Sequence, residues 1–310
     1  MFGSFLNVCI YRMPREISVV SPRSACPACG TAIAFYDNVP VLSWVVLRGK
    51  CRNCKSRISP RYAIVELITG LLFVAAYLAP QAAWFAEHFR AALVKSFPVD
   101  VLYDASAISI RLCVFSFLLI GLIFTDAETK LLPDLLTKPG IVAGLAFSLW
   151  AAVEGPAGYF LQSADNWRLL SLLNSIAGAV MGSAFILGIA LAYEALRGVE
   201  GMGRGDVKLM ALIGAFLGVK LTLLVLLLGS LIGSLFGILL ILIVWRKRLA
   251  RRRAKLRNEA AGKARSRAWK SAVLIYRNFE IPFGVFLGAA ALFSAFCGQA
   301  LIDWYMSFYR

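Results

Sequence analysis

Histidine is almost missing from this chain: His88 is the single one in 310 residues. That scarcity excludes most chemistry that rests on imidazole. A Ser–His–Asp relay needs a histidine beside its nucleophile, and His-ligated catalytic zinc needs two or three. Charge is sparse as well. Asp, Glu, Lys and Arg together make up 16% of the chain against 60% hydrophobic residues, and mean hydropathy is +0.74. A soluble fold cannot hide that share of apolar surface, so lipid is the expected solvent. Acidic residues are the rarer charged class, 17 against 33 Lys and Arg. The resulting net charge of +16 would suit nucleic acid if it covered a polar face. It is gathered instead in two blocks beside apolar runs, the pattern that membrane topology produces, and no nucleic-acid partner is expected. No cleavable signal peptide is expected from the opening residues.

What is present is an alternation of apolar runs and polar loops. The opening stretch 1–13 is shorter than the roughly 20 residues a spanning helix needs. It is either completed by upstream sequence or enters the bilayer part way, and a truncated first helix is one reading. Segment 14–61 is polar and carries Arg15, Arg23, Arg48, Lys50, Arg52, Lys55, Arg57 and Arg61. Apolar runs follow at about 62–80, 106–125, 139–153, 169–193, 207–219, 221–245 and 281–302. The mixed stretch 81–104 has room for an amphipathic surface helix. The predicted architecture is an all-α polytopic membrane protein of about eight transmembrane helices. It divides into the first helix 1–13, a cytoplasmic metal-binding segment 14–61, and a membrane core 62–310 with a basic loop at 246–280 that opens RKRLARRRAKLR. Lys and Arg flank cytoplasmic helix ends, so 14–61 and the basic loop both belong in the cytoplasm. Eight crossings satisfy both placements and put Asp126 and Asp206 on the same side. The basic loop reads chiefly as a topological anchor against anionic headgroups.

Four of the seven cysteines cluster. CPAC at 26–29 and CRNC at 51–54 are two CxxC knuckles separated by 21 residues, and four thiolates so spaced suit tetrahedral zinc. In a cytoplasmic segment structural disulfides are disfavoured. A thioredoxin-like redox role needs a CxxC in a βαβ context, which the sequence lacks. Four protein ligands leave no open coordination position, so Cys26, Cys29, Cys51 and Cys54 predict a structural zinc site. Cys9, Cys113 and Cys297 stand in apolar stretches and read as buried thiols.

Acidic residues at membrane depth are costly and usually functional. FTDAETKLLPD puts Asp126 at the end of one apolar run, and GMGRGDVKLMALIGAFLG puts Asp206 at the start of another. Two carboxylates held close share a proton, which equips one as general base toward water and the other as general acid toward an amide. Gly201, Gly203 and Gly205 permit close backbone approach beside the acid. The alternative is that both aspartates cap helices, a role that Asp134 fits better. Lys208 either acts on Asp206 or snorkels to the interface. Glu128 either tunes Asp126 or is solvated. Glu66 either pairs with a basic residue or lines a substrate path.

Taken together these segments resemble the type IV prepilin peptidases, of the GxGD aspartyl protease class. The likeness rests on GSFLNVCIYRMP, the double CxxC, the Asp126–Asp134 segment, the GMGRGD segment and IPFGVFLG, which follow in the family's order along nearly the whole chain. The resemblance implies that Asp126 and Asp206 are the catalytic pair, with Gly203, Gly205 and Lys208 in the active-site loop. It implies an enzyme of the bacterial inner membrane that cleaves leaders of type IV prepilins or type II secretion pseudopilins after glycine on the cytoplasmic side. It further implies methylation of the new amino terminus from S-adenosylmethionine. In one departure, only Met1 and Phe2 precede the GSFLN segment, where the family has several more apolar residues. Rival readings are a proton-coupled transporter, an archaeal-type preflagellin peptidase, and a non-catalytic zinc-ribbon adaptor.

Overall fold

The computed structural model describes residues 1–92, 100–153, 167–198, 203–255 and 282–309, with side chains in these ranges except at 81–92, 100–105 and 251–255. Among the described residues every regular element is a helix, and there is no strand. Two isolated antiparallel bridges, Ala25 with Ala32 and Lys50 with Arg57, both lie in the cysteine segment. The helices are α1 (Phe2–Arg12), α2 (Leu42–Val46), α3 (Arg61–Ala92), α4 (Asp100–Thr129), α5 (Asp134–Phe147), α6 (Trp167–Arg197), α7 (Arg204–Lys255) and α8 (Phe283–Ser307).

Five of them, α3, α4, α6, α7 and α8, are long and apolar enough to cross a membrane. At 11 and 14 residues, α1 and α5 fall short of the roughly 20 that a span requires. The outward faces carry Leu67, Leu71, Val74, Leu231, Leu235 and Leu239, all exposed, a surface suited to lipid tails and unsuited to water. At 81–104, where the sequence left room for an amphipathic surface helix, α3 continues to Ala92 and α4 begins at Asp100. His88 falls among the side chains that are not described. The basic stretch begins within α7, and from 256 to 281 it lies outside the described residues.

Helix α7 is one element only in name. Gly218 has φ +71° and ψ 179°, a region open essentially to glycine alone. In a straight helix Met210 and Thr222 would stand about 18 Å apart. Both instead face the same point of α6: a methyl group at Gly182 would lie 2.9 Å from Thr222 Cγ2 and 3.1 Å from the Met210 carbonyl oxygen. The chain therefore turns back at Gly218, and the two arms pack against α6. Without a hydrophobic drive between helices in lipid, such packing relies on close backbone approach and buried polar contacts. Gly178 against Gly214 supplies the first, and Ser175 Oγ donating to the Ala215 carbonyl supplies the second. The main core forms around this pair, with Phe115 and Phe216 ring centroids 4.9 Å apart and Leu119, Leu122, Met210, Ile213 and Leu287 buried beside them. Leu6 and Ile10 of α1 join Val65 and Ile120 in a second cluster.

Candidate active site and metal centre

Asp126 lies in the last turn of α4. Lys130 ends that helix with φ +55°, and its amide closes on the Asp126 carbonyl at 2.9 Å, a left-handed cap. Asp206 lies in the first turn of α7, its amide bonded to the Gly203 carbonyl at 3.1 Å. The two carboxylates thus come from helix ends 80 positions apart in sequence, yet they are only 5% and 8% exposed and both border Gly284.

A third element joins them. α8 starts after Pro282, so its first-turn amides have no intrahelical acceptor. One of them, Val285 N–H, donates to Asp126 Oδ2 at 3.0 Å, and the positive pole of α8 points at the acid. Gly284 sits between the carboxylates. A methyl group there would stand 2.8 Å from Asp126 Oδ2 and 3.4 Å from Asp206 Oδ1. The gap between the two oxygens is therefore no wider than the sum of those distances. The IPFG segment entered the sequence reading only as a mark of resemblance; its work is to seat Asp126 and leave room beside it. A Pro–x–Gly at the start of an apolar run was the available signal, and nothing in the sequence said which acid it would meet.

The glycine loop divides. Gly205 packs against Leu132, 3.1 Å from a methyl group placed on it, whereas Gly203 has open space beyond the loop's own backbone; Gly201 lies outside the described residues. Lys208 is directed at Asp134, with Nζ 2.5 Å from Oδ1, and Lys138 Nζ lies 2.7 Å from the other oxygen. Asp134 is thus not the helix cap it was expected to be. Pro133 holds the N-cap position of α5 with no side-chain cap bond, and the carboxylate turns to two cations, whose charge-assisted bonds exceed one to a neutral amide. Glu128 forms an ion pair with Arg61, whose guanidinium lies 4.8 Å from the Tyr62 ring centroid.

Among the described residues Glu66 has no cation within ion-pair distance. Its Oε2 accepts the Val41 amide at 2.8 Å. Val41 has φ +61°, an outlying conformation for a β-branched residue. With Ser4 Oγ donating to Asn38 Oδ1 at 2.8 Å and Asn7 Nδ2 to the Tyr62 carbonyl at 3.0 Å, this bond straps the cysteine segment to α1 and α3.

Within that segment the two knuckles repeat one geometry. The Cys26 carbonyl accepts the Gly30 amide at 2.8 Å and the Cys51 carbonyl accepts the Lys55 amide at 3.1 Å. Gly30 and Lys55, four positions after their cysteines, both take positive φ, +70° and +57°. The four Sγ atoms lie within 4.8 Å of one another, with Cys26 and Cys54 at 3.8 Å. A tetrahedral ion with metal–sulfur bonds of about 2.3 Å sets its sulfurs roughly 3.8 Å apart, so the donor set fits a metal ion. Hydrogen bonding favours the thiolate at two of the four, Cys29 and Cys26. The Thr31 hydroxyl and then its amide push the Cys29 thiol down to about 6, and the backbone amides of Ala28 and Cys29 lower Cys26. Arg52 clamps Asp37 through two bonds of 2.7 and 2.5 Å and holds that carboxyl below its ordinary range.

Two family profiles match the chain. Residues 1–79 match the Bacterial Peptidase A24 N-terminal domain, and residues 113–238 match the Type IV leader peptidase family. Among similar proteins, one named prepilin leader peptidase/N-methyltransferase from Aeromonas hydrophila is 31% identical, over 99% of this chain and 91% of its own length. Another of that name from Neisseria gonorrhoeae is 32% identical over 71% of each. A third, from Myxococcus xanthus, is 35% identical over 69% of this chain and 52% of its own length. No solved structure matches.

Proposed function

The chain belongs to the prepilin leader peptidase/N-methyltransferase family, and from that premise we propose that it hydrolyses the leader of type IV prepilins or pseudopilins at the Asp126–Asp206 pair. The observation that carries the proposal is the meeting of two buried carboxylates from different helices across Gly284. Close, buried carboxylates share one proton. The ionised partner takes a proton from water as the oxygen attacks the scissile carbonyl. The protonated partner gives its proton to the amine as the C–N bond breaks. Val285 N–H fixes one Asp126 oxygen and leaves the other for chemistry.

The bond cleaved follows glycine and lies on the cytoplasmic side of the bacterial inner membrane. Supporting that orientation, the basic segments flank the helix ends that carry the aspartates. The eight-crossing topology extends this reading: α1 and α5 act as short crossings and the two arms of α7 count separately. Methylation follows as a second reaction. The lone pair of the freed amine takes the methyl group of S-adenosylmethionine, a co-substrate, the thioether leaves, and the amine loses a proton.

The test is proteoliposome cleavage of a full-length prepilin, read by intact mass. One product lighter by the leader, and heavier by one methyl group only when S-adenosylmethionine is present, is expected. An untrimmed substrate overturns the reading.

The tetrathiolate is proposed to hold zinc as a structural ion. It would tie the two knuckles together and leave no position for a substrate. Purified protein should contain one equivalent of zinc by elemental mass spectrometry. Cys51→Ser should lose that ion and lower the melting temperature by several degrees, since coordination of this kind contributes directly to folding. Cleavage should fall less than when either aspartate is changed. A zinc-free wild type with unaltered stability would remove the assignment.

A further inference from the structure

At the end of the bundle away from the aspartates, two cations line one cavity. Arg111 stands on α4, 15 residues before Asp126 and so about 22 Å along the helix axis. Lys220 follows the turn at Gly218. They border a cavity of about 170 Å³ whose remaining walls include Leu112, Phe115, Phe216 and Leu221. One wall is held rigid. Ser171 Oγ donates to the Ser148 carbonyl at 2.6 Å and accepts the Val153 amide at 2.9 Å, and Asn174 Nδ2 donates to the Val153 carbonyl at 3.0 Å. Arg111 Nη1 completes the latch through the Ala151 and Ala152 carbonyls, at 3.0 and 3.1 Å.

Both of those bonds use one nitrogen of the guanidinium. Nε and Nη2 make no hydrogen bond among the described residues. Lys220 Nζ donates only to Gln299 Oε1, at 3.1 Å, and that amide in turn holds Asp303 Oδ1 at 3.1 Å. Among the described residues neither cation has a carboxylate within ion-pair distance. Two half-buried cations at the rim of an apolar cavity are costly at membrane depth, and they stand at the end of the bundle where the charge rule for topology does not call for them.

We propose that this cavity binds the phosphate of an anionic phospholipid, with the Arg111 fork and the Lys220 ammonium on the phosphate and the root of an acyl chain on the partly exposed Leu221 and Ala295. A guanidinium with two free donor nitrogens matches phosphate oxygens geometrically, and an ammonium adds a point charge. The apolar walls select a lipid over a free anion, which has no use for them. The proposal stands independently of the chemistry at the aspartates.

The experiment is native mass spectrometry of the full chain in detergent, titrated with phosphatidylglycerol or with phosphatidylcholine, for wild type, K220Q and R111Q/K220Q. The basic stretch after α7 is present in every variant, so its own lipid binding cancels. Wild type should retain a tightly held phosphatidylglycerol that phosphatidylcholine does not replace. K220Q should weaken it about fivefold, the effect of one cation near a headgroup, and the double variant more. The phosphatidylglycerol-induced rise in melting temperature should shrink in the same order, with prepilin cleavage in phosphatidylcholine unchanged. If R111Q unlatches 151–152 and fails to fold, K220Q, which leaves the latch intact, decides alone. Equal phosphatidylglycerol binding by wild type and K220Q overturns the proposal. So does displacement of the lipid by inorganic phosphate at millimolar concentration, which would make this a free-anion site.

Discussion

Asp126→Asn and Asp206→Asn should each slow prepilin cleavage by at least about a thousandfold while the protein stays folded. An asparagine keeps the shape and one carbonyl oxygen of the acid, so at position 126 it still accepts the Val285 amide seen at 3.0 Å. What it cannot do is take or give a proton. Neutral amides are also cheaper to bury than ionised carboxylates, so the melting temperature should hold or rise. Asp126 is the more diagnostic position. An acid in the last turn of its own helix opposes that helix's dipole and has no capping role there, so its burial is explained by α8 and by Asp206. Asp206 sits in a first turn, where an acid is welcome for structural reasons alone. If single-turnover assays find Asp206→Asn still cleaving, Asp206 is a first-turn acid and the pair has no joint chemistry. A wild type that leaves prepilin untrimmed would instead return the proton-coupled transporter, with gradient-dependent flux as its signature.

The membrane helices, the cysteine cluster and the two aspartates were legible in the sequence because each rests on a local signal: a long apolar run, a fixed CxxC spacing, an acid at the edge of a run. The break between 207–219 and 221–245 was legible too, since a polar Lys220 interrupts the run, and the structure turns at Gly218 beside it. What the sequence could not disclose is pairwise and distant. Lys208 is two residues from Asp206, and proximity along the chain suggested an effect on it, yet its ammonium bonds Asp134 of another helix. Glu66 looked like a misplaced charge in a membrane helix. Its partner is a backbone amide, that of Val41, and backbone amides are identical at every position of a sequence. For the same reason the Val285 amide was invisible as the partner of Asp126.

Gly284 follows from that last contact, and its substitution should be damaging, though less so than loss of an aspartate. A methyl group at 284 would stand 2.8 Å from Asp126 Oδ2 and 3.1 Å from its Cγ, inside van der Waals contact with both. Relief requires either the carboxylate to swing away or the first turn of α8 to retreat, and either motion stretches the Val285 bond and widens the gap to Asp206. Displacement of a reacting group by about 1 Å costs on the order of a hundredfold. Gly284→Ala should therefore lower kcat by about that factor and leave KM for prepilin nearly unchanged, with Gly284→Val worse. The control lies one turn along the same helix. A methyl group at Gly288 would stand 2.5 Å from Ile123 Cγ1, a still tighter clash that touches no acid. Gly288→Ala should cost about 1–3 kcal/mol of stability through overpacking while the folded fraction keeps its kcat. If Gly284→Ala instead raises KM with kcat intact, the glycine borders the substrate's path and the carboxylates tolerate its side chain. If Gly284 and Gly288 substitutions behave alike, the clash at 284 is one of packing, and the seat for Asp126 lies in the Val285 amide alone.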